Sequence, residues 1–354
     1  MKNISISFRL VTAGTAVLLL LMAVVGCTDV QGDGINEVVW EGSVLPEDIC
    51  YRNPVWEPDL SFPSVFSAAV GFYAVGVDME WSPGLNYSAP VLSSNDLMNW
   101  RLRGEAFTEK PAWSQEKINS IAAGFSKTRG TYYIFYTLGP EGIGMGASKA
   151  PQGPFTDFGM LINAASMGVT ECANPYFLAF GSKAYLFFQG GDGIYGQEIV
   201  LYKDKLAEIK GDKFKVTGPE ISSANIVRIG DYYYLFGAVE DGNNSRITLG
   251  RSSEATGPYL DSEGSSLLEG EGTPVVTGSA GEGFVAVNHA GGIFEDAQEN
   301  IWILCQATDI DQPLLSSGSE RHPLMLSPVV FSENGWPGQE TVVRGGWNYP
   351  KFAK

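Results

Sequence analysis

Five times along the chain a turn residue is followed by a short run of aromatic and β-branched residues and then by a small or acidic one. The copies cover residues 71–76, 130–136, 182–188, 230–236 and 299–304, with Tyr73, Tyr133, Tyr185, Tyr233 and Trp302 near their centres. The intervals between those centres are 60, 52, 48 and 69 residues, room for a four-stranded sheet and its loops. A second echo runs through it: Ser148-Lys149-Ala150-Pro151-Gln152-Gly153-Pro154-Phe155 is similar to Ser253-Glu254-Ala255-Thr256-Gly257-Pro258-Tyr259. A sheet of this size cannot bury both of its own faces, and packing neighbours radially solves that while leaving only short, protected edges. The expectation is an all-β, five-bladed β-propeller; the competing arrangement is an irregular β-sandwich, because aromatic strands are common in all-β proteins.

Composition fits a closed, turn-rich β body. There are 43 Gly and 19 Pro for tight turns, and amphipathic helical windows are scarce. Charged residues make up 18% of the chain and hydrophobic ones 44%, which excludes a disordered acidic polymer. Lys and Arg number 23 against 40 Asp and Glu, a net charge of −17, so a nucleic-acid partner is excluded for want of a basic footprint.

The N-terminus is organised differently. Lys2 and Arg9 precede an uncharged run from Leu10 to Gly26, and Val24-Val25-Gly26 stands before Cys27. Basic region, apolar core and small residues in that order read as a signal peptide over 1–26. The tripeptide with Cys27 resembles the bacterial lipoprotein lipobox, which implies cleavage before Cys27 and acylation of its thiol. An uncleaved anchor is the competing reading, although 17 residues are short for a membrane span. The expected location is the bacterial cell envelope, with membrane contact through the N-terminal lipid alone. Residues 27–49 read as a tether and 50–354 as the propeller domain. Cys50, Cys172 and Cys305 remain, an odd number without metal-ligand spacing, and are expected as buried thiols.

Further segments carry a family resemblance. Tyr51-Arg52-Asn53-Pro54-Val55-Trp56-Glu57-Pro58-Asp59 leads into Ser61-Phe62-Pro63-Ser64-Val65; Ser94-Asn95-Asp96-Leu97-Met98-Asn99-Trp100 follows, then Gly193-Ile194-Tyr195-Gly196, Gly250-Arg251-Ser252, Asn288-His289 and Arg321 with Leu324-Met325-Leu326-Ser327-Pro328. Over about residues 50–340 this order resembles glycoside hydrolase family 43, the arabinosidases and xylosidases built on a five-bladed propeller. The resemblance implies a plant arabinan-like or xylan-like oligosaccharide or polysaccharide as partner. It also implies an aspartate base in the first blade, a second aspartate in the third and a glutamic acid in the fourth.

Here the matching positions carry Phe62, Asn174 and Ser222, and the second-blade aspartate is also lost within Ile121-Ala122-Ala123-Gly124. Hydrolysis of a glycosidic bond needs a general acid for the leaving oxygen and, in the inverting mode, a carboxylate base for water. A phenyl ring takes no proton, and neutral Asn and Ser replace neither role. Losing one such role costs on the order of 10²–10⁴ in rate. The expectation is therefore a carbohydrate-recognising protein with hydrolysis lost or much reduced. Asn174 and Ser222 would hydrogen-bond sugar hydroxyls, and Phe62 would either stack on a sugar or plug the funnel.

An active glycosidase using displaced carboxylates is the alternative. Glu220 lies two residues from Ser222, Glu171 three from Asn174, and Asp59 three from Phe62. A two-residue offset keeps the strand face and a three-residue offset reverses it, so Glu220 is the strongest of these. By resemblance, Arg321 would contact substrate and His289 would lie on the axis near a calcium or sodium ion. No cofactor is otherwise required. His322 reads as incidental. A third possibility is a surface scaffold that meets a protein partner and needs no sugar.

Overall fold

In the computed structural model, residues 51–346 and 348–352 are described; the expected signal peptide and tether, with Cys27 and Cys50, lie outside them. Tyr51–Arg52 and Gly345–Gly346 form a small antiparallel pair that belongs to a separate unit. The remainder, from Asn53 to Arg344 and again from Pro350, is a five-bladed β-propeller.

The innermost strands of blades I to V are Ser64–Ser67, Ile118–Ser126, Ala173–Phe180, Ala224–Ile229 and Phe284–Glu295. Each touches the next and the fifth touches the first, closing the ring. The second strands are Phe72–Val75, Thr131–Leu138, Lys183–Gln189, Tyr232–Val239 and Ile301–Asp309. Each of the five aromatic repeats therefore marks the second strand of one blade. Blades II and III are four-stranded meanders, while blade I carries an inserted hairpin, Met79–Ser82 with Leu85–Tyr87. Blade V has three strands, and Glu340–Thr341 instead pairs parallel with Thr273–Thr277 of blade IV.

The core lies between blades, which explains why the repeats are continuous apolar runs instead of alternating ones. Side chains alternate across a sheet, and here both faces are covered. Along Thr131–Leu138 every residue is buried. Tyr133 and Phe135 pack with Phe177, Leu186 and Phe188 of blade III, whereas Ile134 and Tyr136 pack with Phe66, Val75 and Val91 of blade I. In the same way Tyr185 and Phe187 meet Ile226 and Leu235 of blade IV, and Tyr234 and Phe236 meet Ile303 and Met325 of blade V. Cys172 and Cys305 are buried free thiols, and burial pushes both up to about 12. The two similar Gly-Pro segments each follow the third strand of their blade, Gly142–Ser148 in II and Arg246–Ser252 in IV.

Candidate functional site

The chain enters blades I and III through the same device. Phe62 and Asn174 both stand at positive φ, +48° and +45°, each followed by proline, Pro63 and Pro175. Asparagine tolerates this left-handed region, but a non-glycine residue held there stores about 1–3 kcal/mol. At Phe62 the surroundings enforce it. The Phe62 backbone N–H donates to Gln306 Oε1 at 2.6 Å, and Gln306 Nε2 donates to Asn288 Oδ1 at 2.8 Å. The phenyl ring meets the His289 imidazole edge to face, centroids 5.6 Å apart.

These positions belong to a ring of hydrogen bonds that ties each blade to the next. Ala123 N–H donates to Ser64 Oγ at 2.9 Å, and Asn174 N–H to Ser120 Oγ at 3.1 Å. Asn174 Nδ2 donates to the Ser222 carbonyl at 2.9 Å and to Gln189 Oε1 at 3.0 Å. Asn225 Nδ2 reaches the Ala290 carbonyl at 3.4 Å. His289 Nε2 donates to the Pro63 carbonyl at 3.1 Å, which joins blade V to blade I. Burial lowers the His289 pKa to about 4, only partly offset by that carbonyl, so the ring is neutral at physiological pH. Among the described residues no three His, Cys, Asp or Glu side chains converge to hold a metal ion.

Phe62, Asn174 and Ser222 thus lie in one interblade ring, and none is ionisable. Asn174 and Ser222 are in direct contact. Beside them opens a cleft of roughly 540 Å³ lined by Gln189, Ser222, Glu220, Glu240, Asp241, Arg246 and Glu271, among others. Of the displaced carboxylates only Glu220 lines this cleft. Arg246 pairs with Glu271, and among the described residues Glu220, Glu240 and Asp241 have no cation paired with them. Sequence reading missed Glu240 and Asp241, although they directly follow the fourth aromatic strand, and it missed Gln189 and Gln306, for which no local pattern exists.

Four expectations need correction. Asp59 is 1% exposed, and its two oxygens accept from Ser61 N–H, Ser61 Oγ and His322 N–H. Burial raises its pKa while those donors pull it down. It anchors the entry segment to residue 322 and cannot also serve in the cleft. His322 is accordingly not incidental: its Nδ1 lies 3.2 Å from Ser61 Oγ. Arg321 is 4% exposed and its guanidinium is consumed internally. Nε donates to the Pro58 carbonyl at 2.9 Å, Nη1 to Asp309 at 3.3 Å and the Gln312 carbonyl at 3.1 Å, and Nη2 to Glu57. No fork remains for sugar hydroxyls. Glu171 sits beside Cys172, where its charge adds to the burial that raises the thiol's pKa, and it does not line the cleft.

The protein is thus a five-bladed propeller with a polar, acidic cleft between blades III and IV, beside an interblade ring of hydrogen bonds. Residues 51–337 match glycosyl hydrolases family 43, and the chain belongs to that family. It is 26% identical over 238 residues to the extracellular endo-α-(1→5)-L-arabinanase 1 of Bacillus subtilis, covering 61% of this chain and 72% of that protein. It is 25% identical over 335 residues to a non-reducing-end α-L-arabinofuranosidase of Bacteroides ovatus, covering 89% of this chain but 58% of the relative. The structure of the Cellvibrio cellulosa α-L-arabinanase superposes with a TM-score of 0.63 at 20% identity, over 80% of this chain and 96% of that one.

Proposed function

We propose that this family member binds neutral arabinan- or xylan-type oligosaccharides without hydrolysing them by the family's acid–base route. We further propose that lipid on Cys27 holds it at the bacterial envelope. The observation behind the first proposal is the contact between Asn174 and Ser222. At the two positions where the family resemblance calls for carboxylates, an amide donates to a backbone carbonyl at 2.9 Å. Phe62, at the third, faces a neutral imidazole. The side chains at these three positions supply neither a carboxylic acid for the leaving oxygen nor a carboxylate base for water. The cleft beside them offers carboxylate acceptors and the Gln189 amide, which suit a ligand rich in hydroxyl donors.

The test is equilibrium binding of (1→5)-arabinohexaose and xylohexaose to the full chain, with product release followed chromatographically. Saturable binding without release is expected. Release of shorter sugars, or failure of both oligomers to bind, overturns the reading. For the anchor, the full chain expressed in a bacterial host should take up labelled fatty acid, and Cys27→Ser should abolish the label.

One observation favours a second reading, residual hydrolysis. Glu220, Glu240, Asp241 and Glu271 line a single cleft beside Ser222. If turnover is detected, Glu220→Gln should remove it, and unchanged turnover eliminates Glu220 as acid or base.

A further inference from the structure

The third strand of blade IV carries an arginine at each end, and the two are treated differently. Arg246, at the cleft end, is neutralised by Glu271. Arg251, five residues on, has no carboxylate partner among the described residues. Its guanidinium lies 4.5 Å from the Tyr232 ring and 4.6 Å from the Trp336 ring, so it rests on two aromatic faces. Nη1 reaches the carbonyls of Asn334 and Gly335 at 3.3 Å each. The loop that brings Trp336 is pinned from the same blade, because Tyr234 OH donates to the Gly335 carbonyl at 2.8 Å. Gly335 has φ +76°, and a Cβ there would stand 2.9 Å from Arg251 Nη1, so glycine is what allows the approach.

Tyr232, Arg251 and Trp336 line a second cleft of roughly 580 Å³ together with Leu260, Asp261 and Ser262. Tyr232 is 41% exposed and Leu260 39%, so an aromatic ring and an aliphatic surface are presented to solvent. The cleft is at the other end of blade IV from Ser222. The inner strand runs from Ala224, paired with Gly237, to Ile229, paired with Tyr232. At about 3.3 Å per residue, the seven residues from Ser222 to Ile229 separate the two sites by about 23 Å.

We propose that this far-end cleft is a second oligosaccharide site, which takes a neutral sugar unit stacked on Tyr232. Its hydroxyls would be held by the Arg251 guanidinium as donor and by Asp261 and Ser262 as acceptors. This rests on reading the chain as a sugar binder. The ligand class follows from the mixture. A ring face suits sugar C–H surfaces, and an arginine held flat loses little freedom when it binds. Two carboxylates, Asp261 and Glu263, beside one cation disfavour an acidic sugar. Two sites on one chain give avidity on a polymer without any tighter single contact.

The test is calorimetric titration of the full chain with (1→5)-arabinohexaose, xylohexaose and an oligogalacturonate. Two neutral oligomers per chain are expected for the wild type, and one for Tyr232→Ala and for Arg251→Gln. Tyr232→Phe should retain two, because it keeps the ring, and its melting temperature reports whether the fold is intact. Affinity for insoluble neutral polysaccharide should fall at least tenfold in Tyr232→Ala. A wild-type stoichiometry of one, or two that Tyr232→Ala and Arg251→Gln leave unchanged, overturns the second site but leaves the first intact. Oligogalacturonate binding that Arg251→Gln removes overturns the ligand class. Failure of the wild type to bind any neutral oligomer overturns both proposals.

Discussion

Asn174→Asp restores an acid at the third-blade position with almost no change of shape, and the structure argues that the protein should resist it. The Asn174 amide donates to the Ser222 carbonyl at 2.9 Å and to Gln189 Oε1 at 3.0 Å. An aspartate would set carboxylate oxygens against both acceptors. Two hydrogen bonds are lost at about 1 kcal/mol each, and the facing acceptors add about 1–2 kcal/mol more. The expected loss at pH 7.5 is therefore about 3 kcal/mol. Unfolding entropy of about 2.1 cal/mol/K per residue, over roughly 300 ordered residues, makes this a fall of about 5 °C in Tm. The carboxyl should answer by holding its proton, since its O–H can then donate to one acceptor. An acid whose folded-state pKa lies above its unfolded value of about 3.9 lends stability below that value and loses it as pH climbs through the folded pKa. The deficit should thus shrink to about 1–2 kcal/mol at pH 4, where one hydrogen bond is regained. Denaturant unfolding of wild type, Asn174→Asp and Asn174→Ala at pH 4 and 7.5 reads this directly. Asn174→Ala should be destabilised equally at both. An aspartate variant as stable as wild type at pH 7.5 would refute the argument, because it would mean that Gln189 turns its amide so that Nε2 donates to the carboxylate.

The combined substitution Phe62→Asp, Asn174→Asp, Ser222→Glu should raise arabinan hydrolysis at least 100-fold over wild type, since each acid or base role is worth on the order of 10²–10⁴; no gain in reducing ends would mean that more than these positions was lost. Arg321→Met should cost about 3 kcal/mol, because buried Asp309 keeps only the half-exposed Arg344 at 3.6 Å as a cation, and should leave oligosaccharide affinity within about twofold. A tenfold affinity loss at unchanged stability would return Arg321 to the binding site. His289 has a folded pKa of about 4 against 6.5 for the free ring, so the stability it contributes is present above 6.5 and is lost as pH falls toward 4. His289→Gln should remove up to about 3 kcal/mol of that decline. Parallel unfolding curves for the two proteins over that range would contradict it.

The blades were legible in the sequence because a sheet covered on both faces cannot hide its second strand, as residues 131–138 show. That residues 62, 174 and 222, matched to the family's acid positions by resemblance, carry no ionisable group is read from the sequence itself. What those residues do instead was not, because their partners, Gln306 and Gln189, arrive from 244 and 15 residues away and carry no local pattern. Arg321 looked available because charge is the only property a sequence displays, and enclosure by Glu57, Asp309 and two carbonyls is not. Asp59 and His322 find each other across 263 residues for the same reason. The migration of Glu340–Thr341 to blade IV is a parallel pairing that no periodicity announces.

The bond from His289 to the Pro63 carbonyl spans 226 residues, and Asn53 reaches the Val343 carbonyl across 290. Successive blades meet over roughly 50 residues, so four contacts of the ring can assemble as the chain lengthens while the fifth must wait for its end. Loop-closure entropy grows only as (3/2)RT ln n, so closing over 226 residues in place of 50 costs only about 1.3 kcal/mol more. The burden falls on time and not on free energy. Until the last blade arrives, the nascent protein is an open arc with the outer flank of its first blade bare, and a chain released early keeps that apolar edge exposed to its neighbours.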